Sequence, residues 1–175
     1  MSPITHALTG WLIAQPMQTK RDRAVVALAA VLPDVDGLSI LGGVDWYARI
    51  HHTFGHHFFA GILISGFAYK ICDAKKIAAI MAFVSFHSHI LGDLLGSGAG
   101  WGILYFWPVS DIIYTFSPPF QWELVSWQNF VFTVLCLILM AWMAVVKGRT
   151  IIELVSLEAD RKIVYAVRKY FSVRK

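Results

Sequence analysis

One stretch limits this chain more than any other. Residues 127–147, WQNFVFTVLCLILMAWMAVVK, run 21 residues with a single charge, at the last position. A transmembrane helix needs about 20 mostly apolar residues. A helix apolar all round belongs in lipid or deep in a large core. Residues 24–44, 56–72 and 77–96 repeat the pattern less cleanly. ITHALTGWLIAQ, residues 4–15, reaches only about 18 Å at helical rise, too short to cross alone. The expectation is an all-α integral membrane bundle of four transmembrane helices, with this N-terminal half-span packed into it. Composition agrees: 57% of residues are hydrophobic and 15% charged, against about 45–50% and about 25% in soluble domains. MSPITHALTG lacks the basic n-region and cleavage site of a signal peptide, so anchoring is expected from the helices themselves. Cys72 and Cys136 lie far apart without metal-type spacing and read as free apolar residues.

Positive charge sets the orientation. Lys20, Arg21 and Arg23 lie between the first two segments, and Lys70, Lys75 and Lys76 between the third and fourth. Lys147, Arg149, Arg161, Lys162, Arg168, Lys169, Arg174 and Lys175 follow the last span. If the spans alternate, all of these fall in the cytoplasm, leaving Arg49 alone of the 15 basic residues outside. The 98–126 segment has neither Lys nor Arg and many aromatics, as an outer loop should. The expected organisation is a membrane-embedded unit over 1–148 and a basic amphipathic cytoplasmic tail over 149–175, held at the interface by anionic lipid. The same basic tail could be read as a nucleic-acid site, but pattern alone does not support that, and no nucleic-acid partner is expected.

Against this apolar background the polar groups are informative. VLPDVDGL, residues 31–38, puts Asp34 and Asp36 inside a membrane segment. All 7 histidines fall in three windows: His6, the HHTFGHH run with His51, His52, His56 and His57, and His87 with His89 in HSHILGD. Helical rise places His6 about 14 Å, Asp34 about 16 Å, His89 about 20 Å and Asp93 about 26 Å above the inner surface. With a third helix starting near His51, His56 lies about 21 Å and His52 about 27 Å above it. Four segments therefore bring polar groups to one slab, between the midplane and the outer face. His52 with His56, and His89 with Asp93, are i,i+4 pairs that point two ligands at one ion. Imidazole with carboxylate suits zinc, with manganese and iron as rivals. Pro33 and Gly37 open the helix, which at membrane depth is tolerated where backbone lines a polar cavity. An acid at mid-bilayer costs about 2.5–3.5 kcal/mol on insertion scales, and a nearby cation removes that penalty.

Each window alone has a plainer reading. His6 could bond a neighbouring carbonyl, HHTFGHH could form an interfacial belt, and Asp34 and Asp36 could cap a helix after a break. Their coincidence in depth favours a metal site. His57 and His87 are expected behind the ligands, donating to a ligand or a carbonyl.

MSPITHALTG, AAVLPDVDGL, HHTFGHHFF, SFHSHILGDLL and FWPVS, in that order, resemble the YdjM-like family of bacterial inner-membrane, metal-dependent hydrolases over roughly residues 1–110. The family pattern falls on His6, on Asp34 and Asp36, on His51 and His56, on His89 and Asp93, and on Trp107 with Pro108. The usual Arg after the first histidine of the HH window is His52 here. Family register favours His51 as ligand, helix geometry favours His52, and both stay in play. In ligand order the family is similar to zinc-dependent phospholipase C and single-strand nuclease enzymes, which implies phosphoester chemistry.

The function expected is metal-dependent hydrolysis of a phosphoester in a lipid or lipid-linked substrate, at a site toward the outer face of the bacterial inner membrane. His6, Asp34, His51 or His52, His56, His89 and Asp93 are the expected ligands. They are more than one tetrahedral zinc uses, so two or more ions can be held. Asp36 is expected as a further ligand or as the base that takes a proton from water. A divalent-metal transporter or sensor would use the same ligands. A haem protein would use the histidines but has no need of the acids.

Overall fold

Lys20–Ala29 and Leu32–Gly42 should form one span by composition, yet the chain bends by 55° between them. In the computed structural model, which describes residues 1–171, the first piece is α-helix and the second a long 3₁₀ segment. The break has a chemical cause. A 3₁₀ bond to Ala30 O would have to come from residue 33, which is proline and has no N–H. Val31 N–H still bonds Leu28 O (2.9 Å), and Asp34 N–H bonds Val31 O (3.1 Å). The Ala30 carbonyl is passed over.

Seven α-helices are described: α1 Pro3–Ile13, α2 Lys20–Ala29, α3 Val44–Ile50, α4 Phe58–Ile71, α5 Lys75–Gly96, α6 Trp127–Lys147 and α7 Leu157–Phe171. A short 3₁₀ turn, Ile151–Leu154, joins α6 to α7. Arg174 and Lys175, counted above with the inner charges, and the last four positions of the expected 149–175 tail lie outside the described residues. Among the described residues there is no named strand, only an isolated antiparallel bridge, Ile103 with Tyr114. Helices α5 and α6 are long and apolar enough to cross a membrane, and α2 with the 3₁₀ segment makes a third span if the bent pair crosses together. The expected third helix over 56–72 is shorter. It has 14 residues, about 21 Å, against a hydrocarbon core of about 30 Å. His57 marks its start as the N-cap, accepting from Ala60 N–H (3.1 Å).

Helix α5 is central, packing on α1, α2 and α4, while α6 packs on α1 and α7. Close approach needs small residues. A Cβ on Gly10 of α1 would lie 2.6 Å from Ala30 Cβ and 2.7 Å from Ala27 O, so glycine is what lets α1 reach α2. Between the two ends of the bundle lies an apolar core of Ala14, Met17, Val26, Ala29, Ala68, Cys72, Ala78 and Ala82. On α6 only Asn129, Cys136 and Ala144 are buried, while Phe130, Leu135, Ile138 and Trp142 face outward, as suits lipid.

Polar groups close the end that carries Lys20 and Lys147. Arg23 and Glu153 form a buried, two-pronged ion pair (Nε–Oε1 2.7 Å, Nη2–Oε2 2.5 Å). Trp11 Nε1 also donates to Glu153 (3.1 Å). Arg149 and Lys147 reach Gln15 at 3.0 and 3.1 Å. Arg168 of α7 donates to Ala144 O (3.1 Å), occupying one of the carbonyls left open at the end of α6. Burial by itself would raise the Glu153 carboxyl, but the hydrogen bonds from Arg23 and Trp11 outweigh it and hold the group below its ordinary value.

Candidate metal centre

The expected i,i+4 pair on α5 forms: His89 Nε2 lies 2.9 Å from Asp93 Oδ2. The helix-borne His52–His56 pair does not. Residues 51–57 lie between helices, with His52 at φ 67°, a left-handed conformation uncommon outside glycine. The turn nevertheless brings His52 and His56 to the same carboxylate. His56 Nε2 is 3.4 Å and His52 Nε2 3.7 Å from Asp93 Oδ2. His6, from α1, reaches Asp93 Oδ1 at 3.1 Å and stacks on His89, ring centroids 3.8 Å apart. The Met1 amine also donates to Asp93 Oδ1 and, at 2.9 Å, to Ser97 Oγ. Asp34 Oδ1 stands 3.7 Å from His89 Nε2, and its Oδ2 is buried without a partner.

The proton positions on two of these rings follow from their neighbours. Ala30 O, the carbonyl that Pro33 leaves free, lies 2.9 Å from His89 Nδ1. A carbonyl only accepts, so Nδ1 donates, and neutral His89 turns a lone pair outward at Nε2. His56 Nδ1 lies 2.9 Å from Asp36 Oδ2 and donates to it, which leaves its own Nε2 lone pair facing His89. These two Nε2 atoms are 3.0 Å apart beside Asp93. Electron pairs so arranged repel unless a cation or proton lies among them.

Spacing fits a metal ion. One donor atom from each of Asp34, His56, His89 and Asp93 lies within 4.8 Å of the others. A tetrahedral ion with bonds of about 2.0–2.1 Å separates its donors by about 3.4 Å. The distances among these groups, 2.9, 3.0, 3.4 and 3.7 Å, scatter around that value. His56, His89 and Asp93 are each almost wholly buried, and a charged pair of carboxylates needs such compensation. The four residues can therefore hold a metal ion.

Asp36, the expected further ligand or base, has both oxygens engaged by neighbouring groups. Its Oδ1 takes His51 Nδ1 at 2.7 Å, and its Oδ2 takes His56 Nδ1 and Gly55 N–H at 2.9 and 3.0 Å. Both oxygens are filled by donors on the far side of the His56 ring from the cluster. Asp36 holds both imidazoles by hydrogen bonds, as a carboxylate behind a metal-binding histidine would. The His51–His52 ambiguity also takes shape. His51 is tied to Asp36 through Nδ1 and stacks on Tyr47 (4.6 Å), while His52 points Nε2 toward Asp93 and leaves Nδ1 buried and unpaired. The two histidines expected behind the ligands stand apart from the cluster. His57 caps α4, and His87 donates through Nδ1 to Phe83 O (2.8 Å) while its Nε2 meets the Tyr105 hydroxyl (2.8 Å).

Above the cluster opens a cavity of about 480 Å³, bounded by Asp34, His51, His52 and Asp93 together with Tyr47, Trp101 and Glu123. Motif spacing gave no hint of the last three. Tyr47 sits on α3, and Trp101 and Glu123 come from the loop after α5, where nothing periodic marks the side facing the site. The Ala30 carbonyl was equally hidden, although Pro33 three residues on was its one signal.

No curated protein and no solved structure matches the chain. A family model does match, over residues 1–159, well beyond the 1–110 that the motifs alone cover. It takes in every residue of the cluster, α6 and the Arg23–Glu153 pair, and on that match the chain belongs to the YdjM inner membrane protein family.

Proposed function

We propose that the protein is a membrane-embedded, metal-dependent hydrolase acting on a phosphoester in a lipid or lipid-linked substrate. The observation that carries this reading is the pair of Nε2 atoms 3.0 Å apart, both fixed with lone pairs outward, beside Asp93 and at the floor of an open cavity. His56, His89, Asp93 and Asp34 would hold the ion, with His6 and His52 at its margin and available to a second one. Zinc suits the donor set best, with manganese and iron as rivals. When bound, such an ion supplies Lewis acidity and lowers the pKa of a coordinated water to near 7. The chain's own residues do the rest. Asp36 and Ala30 O keep the two imidazoles in the binding tautomer. Asp34 Oδ2, buried at the cavity and unpartnered, is the carboxylate oxygen free to take a proton. Tyr47, Trp101 and the histidines wall the cavity and limit water.

In this reading α2 with its 3₁₀ segment, α4, α5 and α6 are four crossings, the cluster faces outward, and residues 149–175 lie as a cytoplasmic tail on the inner leaflet. A transporter of divalent metal would need a polar path past the cluster. Toward the Arg23–Glu153 end the helices pack through Ala14, Met17, Val26, Ala29, Ala68, Cys72, Ala78 and Ala82, and the buried carboxylate beside them, Asp22, is already held by the Asp73 and Ala74 N–H groups. That favours hydrolysis at a site with one opening.

The test uses purified full-length protein. Metal content is measured by mass spectrometry, together with chelator-sensitive hydrolysis of bis(p-nitrophenyl) phosphate and of a fluorogenic phospholipid. Bound metal and hydrolysis should both fall in Asp34→Ala and His89→Ala. Zinc or manganese flux into liposomes that is lost in Asp34→Ala, with no reporter hydrolysed, would replace the enzyme by a transporter.

A further inference from the structure

Arg49 is the one basic residue between Arg23 and Lys70, and it sits apart from every other Lys and Arg of the sequence. Its side chain makes no hydrogen bond or ion pair among the described residues. It does, however, line a second cavity of about 400 Å³ with Thr53, Gly100 and Gly102. That cavity shares two walls, His51 and Trp101, with the cavity over the metal cluster. The His51 and Trp101 rings meet edge to face at 5.8 Å, and the two cavities adjoin at these rings.

The charges on the two sides differ in sign. The cavity over the cluster is lined by Asp34, Asp93 and Glu123 and by no Lys or Arg. The adjoining one is lined by Arg49 and by no acid. Besides a metal, the Met1 amine is the cation at that cavity, and it is already engaged by Asp93 Oδ1 and Ser97 Oγ. Any further negative charge on an anionic substrate would meet carboxylates there and a free guanidinium next door. A guanidinium offers five N–H donors in a planar fork that fits phosphoryl oxygens two at a time.

We propose that Arg49 forms an anion subsite for a second phosphoryl group, borne by the substrate beside the phosphoester held at the cluster. The substrate class is then a lipid or lipid-linked diphosphate, or a phosphodiester carrying a second phosphate, rather than a simple monophosphate. The proposal rests on the hydrolase reading for the reaction, but the subsite can be measured without it.

Two arms separate the ideas. In the first, full-length protein in detergent is assayed with farnesyl diphosphate and farnesyl phosphate. Arg49→Gln should raise KM for the diphosphate about tenfold, the loss expected for one charge-assisted contact, with kcat and the monophosphate rate unchanged. Arg49→Lys should recover part of it, because the charge remains without the fork. Equal effects on both substrates, or none, would overturn the subsite. In the second arm, binding of inorganic pyrophosphate is followed by calorimetry, with no turnover required. Binding about tenfold weaker in Arg49→Gln supports the subsite even if neither ester is cleaved, in which case only the hydrolase reading falls. Pyrophosphate binding that is absent, or identical in wild type and Arg49→Gln, rejects it.

Discussion

Removing one oxygen of Asp36 tests whether this carboxylate works through His56. In Asp36→Asn the shape is kept, but one acceptor becomes an NH2 donor. The Oδ2 side serves both His56 Nδ1 and Gly55 N–H, at 2.9 and 3.0 Å, and the Oδ1 side serves only His51. The amide oxygen should therefore settle toward His56 and Gly55, and the NH2 should meet His51 and force its ring into the other tautomer. His56 keeps its acceptor but loses the negative charge behind it. Asp36→Ala removes the acceptor from both rings and lets His56 carry its proton on Nε2, where the cluster needs a lone pair. Partners of this kind are worth about 10–100-fold in metal affinity, or about 1.4–2.8 kcal/mol. The amide variant should fall near the lower figure and the alanine variant near the upper. Affinity is read by competition against a zinc-binding dye at fixed pH. The same substitutions are then made in a His56→Ala background, where neither should weaken binding much further, since contacting residues are not additive. If Asp36→Ala still costs its full factor in that background, the carboxylate does not act through His56 and the orienting role is wrong.

Two further outcomes follow from the other end of the bundle. Glu153→Ala strands the buried Arg23 guanidinium and should destabilise the protein by about 3–5 kcal/mol, read as a lower thermal midpoint in detergent. Because the Glu153 pKa is lowered on folding, its contribution is complete above the ordinary Glu value near 4.3 and fades as pH falls below it. Wild type and variant should therefore converge in stability on acidification, and a gap unchanged by pH would remove Glu153 as the cause. The orientation is checked by labelling. A Cys at Ser110 should react with an impermeant maleimide in intact spheroplasts and one at Lys162 only after lysis, against a low background from the buried Cys72 and Cys136. The reverse pattern would put the cavity on the cytoplasmic side.

How far the sequence reaches depends on the range of the forces it encodes. The apolar runs at α5 and α6 and the clustering of basic residues are one-dimensional properties. Lipid responds to them segment by segment, so membrane helices could be read directly. The His89–Asp93 pair was equally legible, because i,i+4 on a helix is a local distance. Pro33 marked a break for the same reason. The His51–His57 window was misjudged as helix. The turn still sets His52 and His56 beside Asp93, and the residue types, rather than their spacing, marked the window. Only the folded chain shows that Ala30 O meets His89 across 59 residues, or that Asp36 faces His51 and His56 and turns away from the cluster. The same holds for Glu153, which lies 130 residues from the guanidinium that binds it. These contacts join segments that no periodicity relates. They exist because small residues such as Gly10 let helices approach and because a buried polar group in lipid must find a partner somewhere in the bundle. Which partner it finds is fixed by packing, and packing is a property of all the helices together.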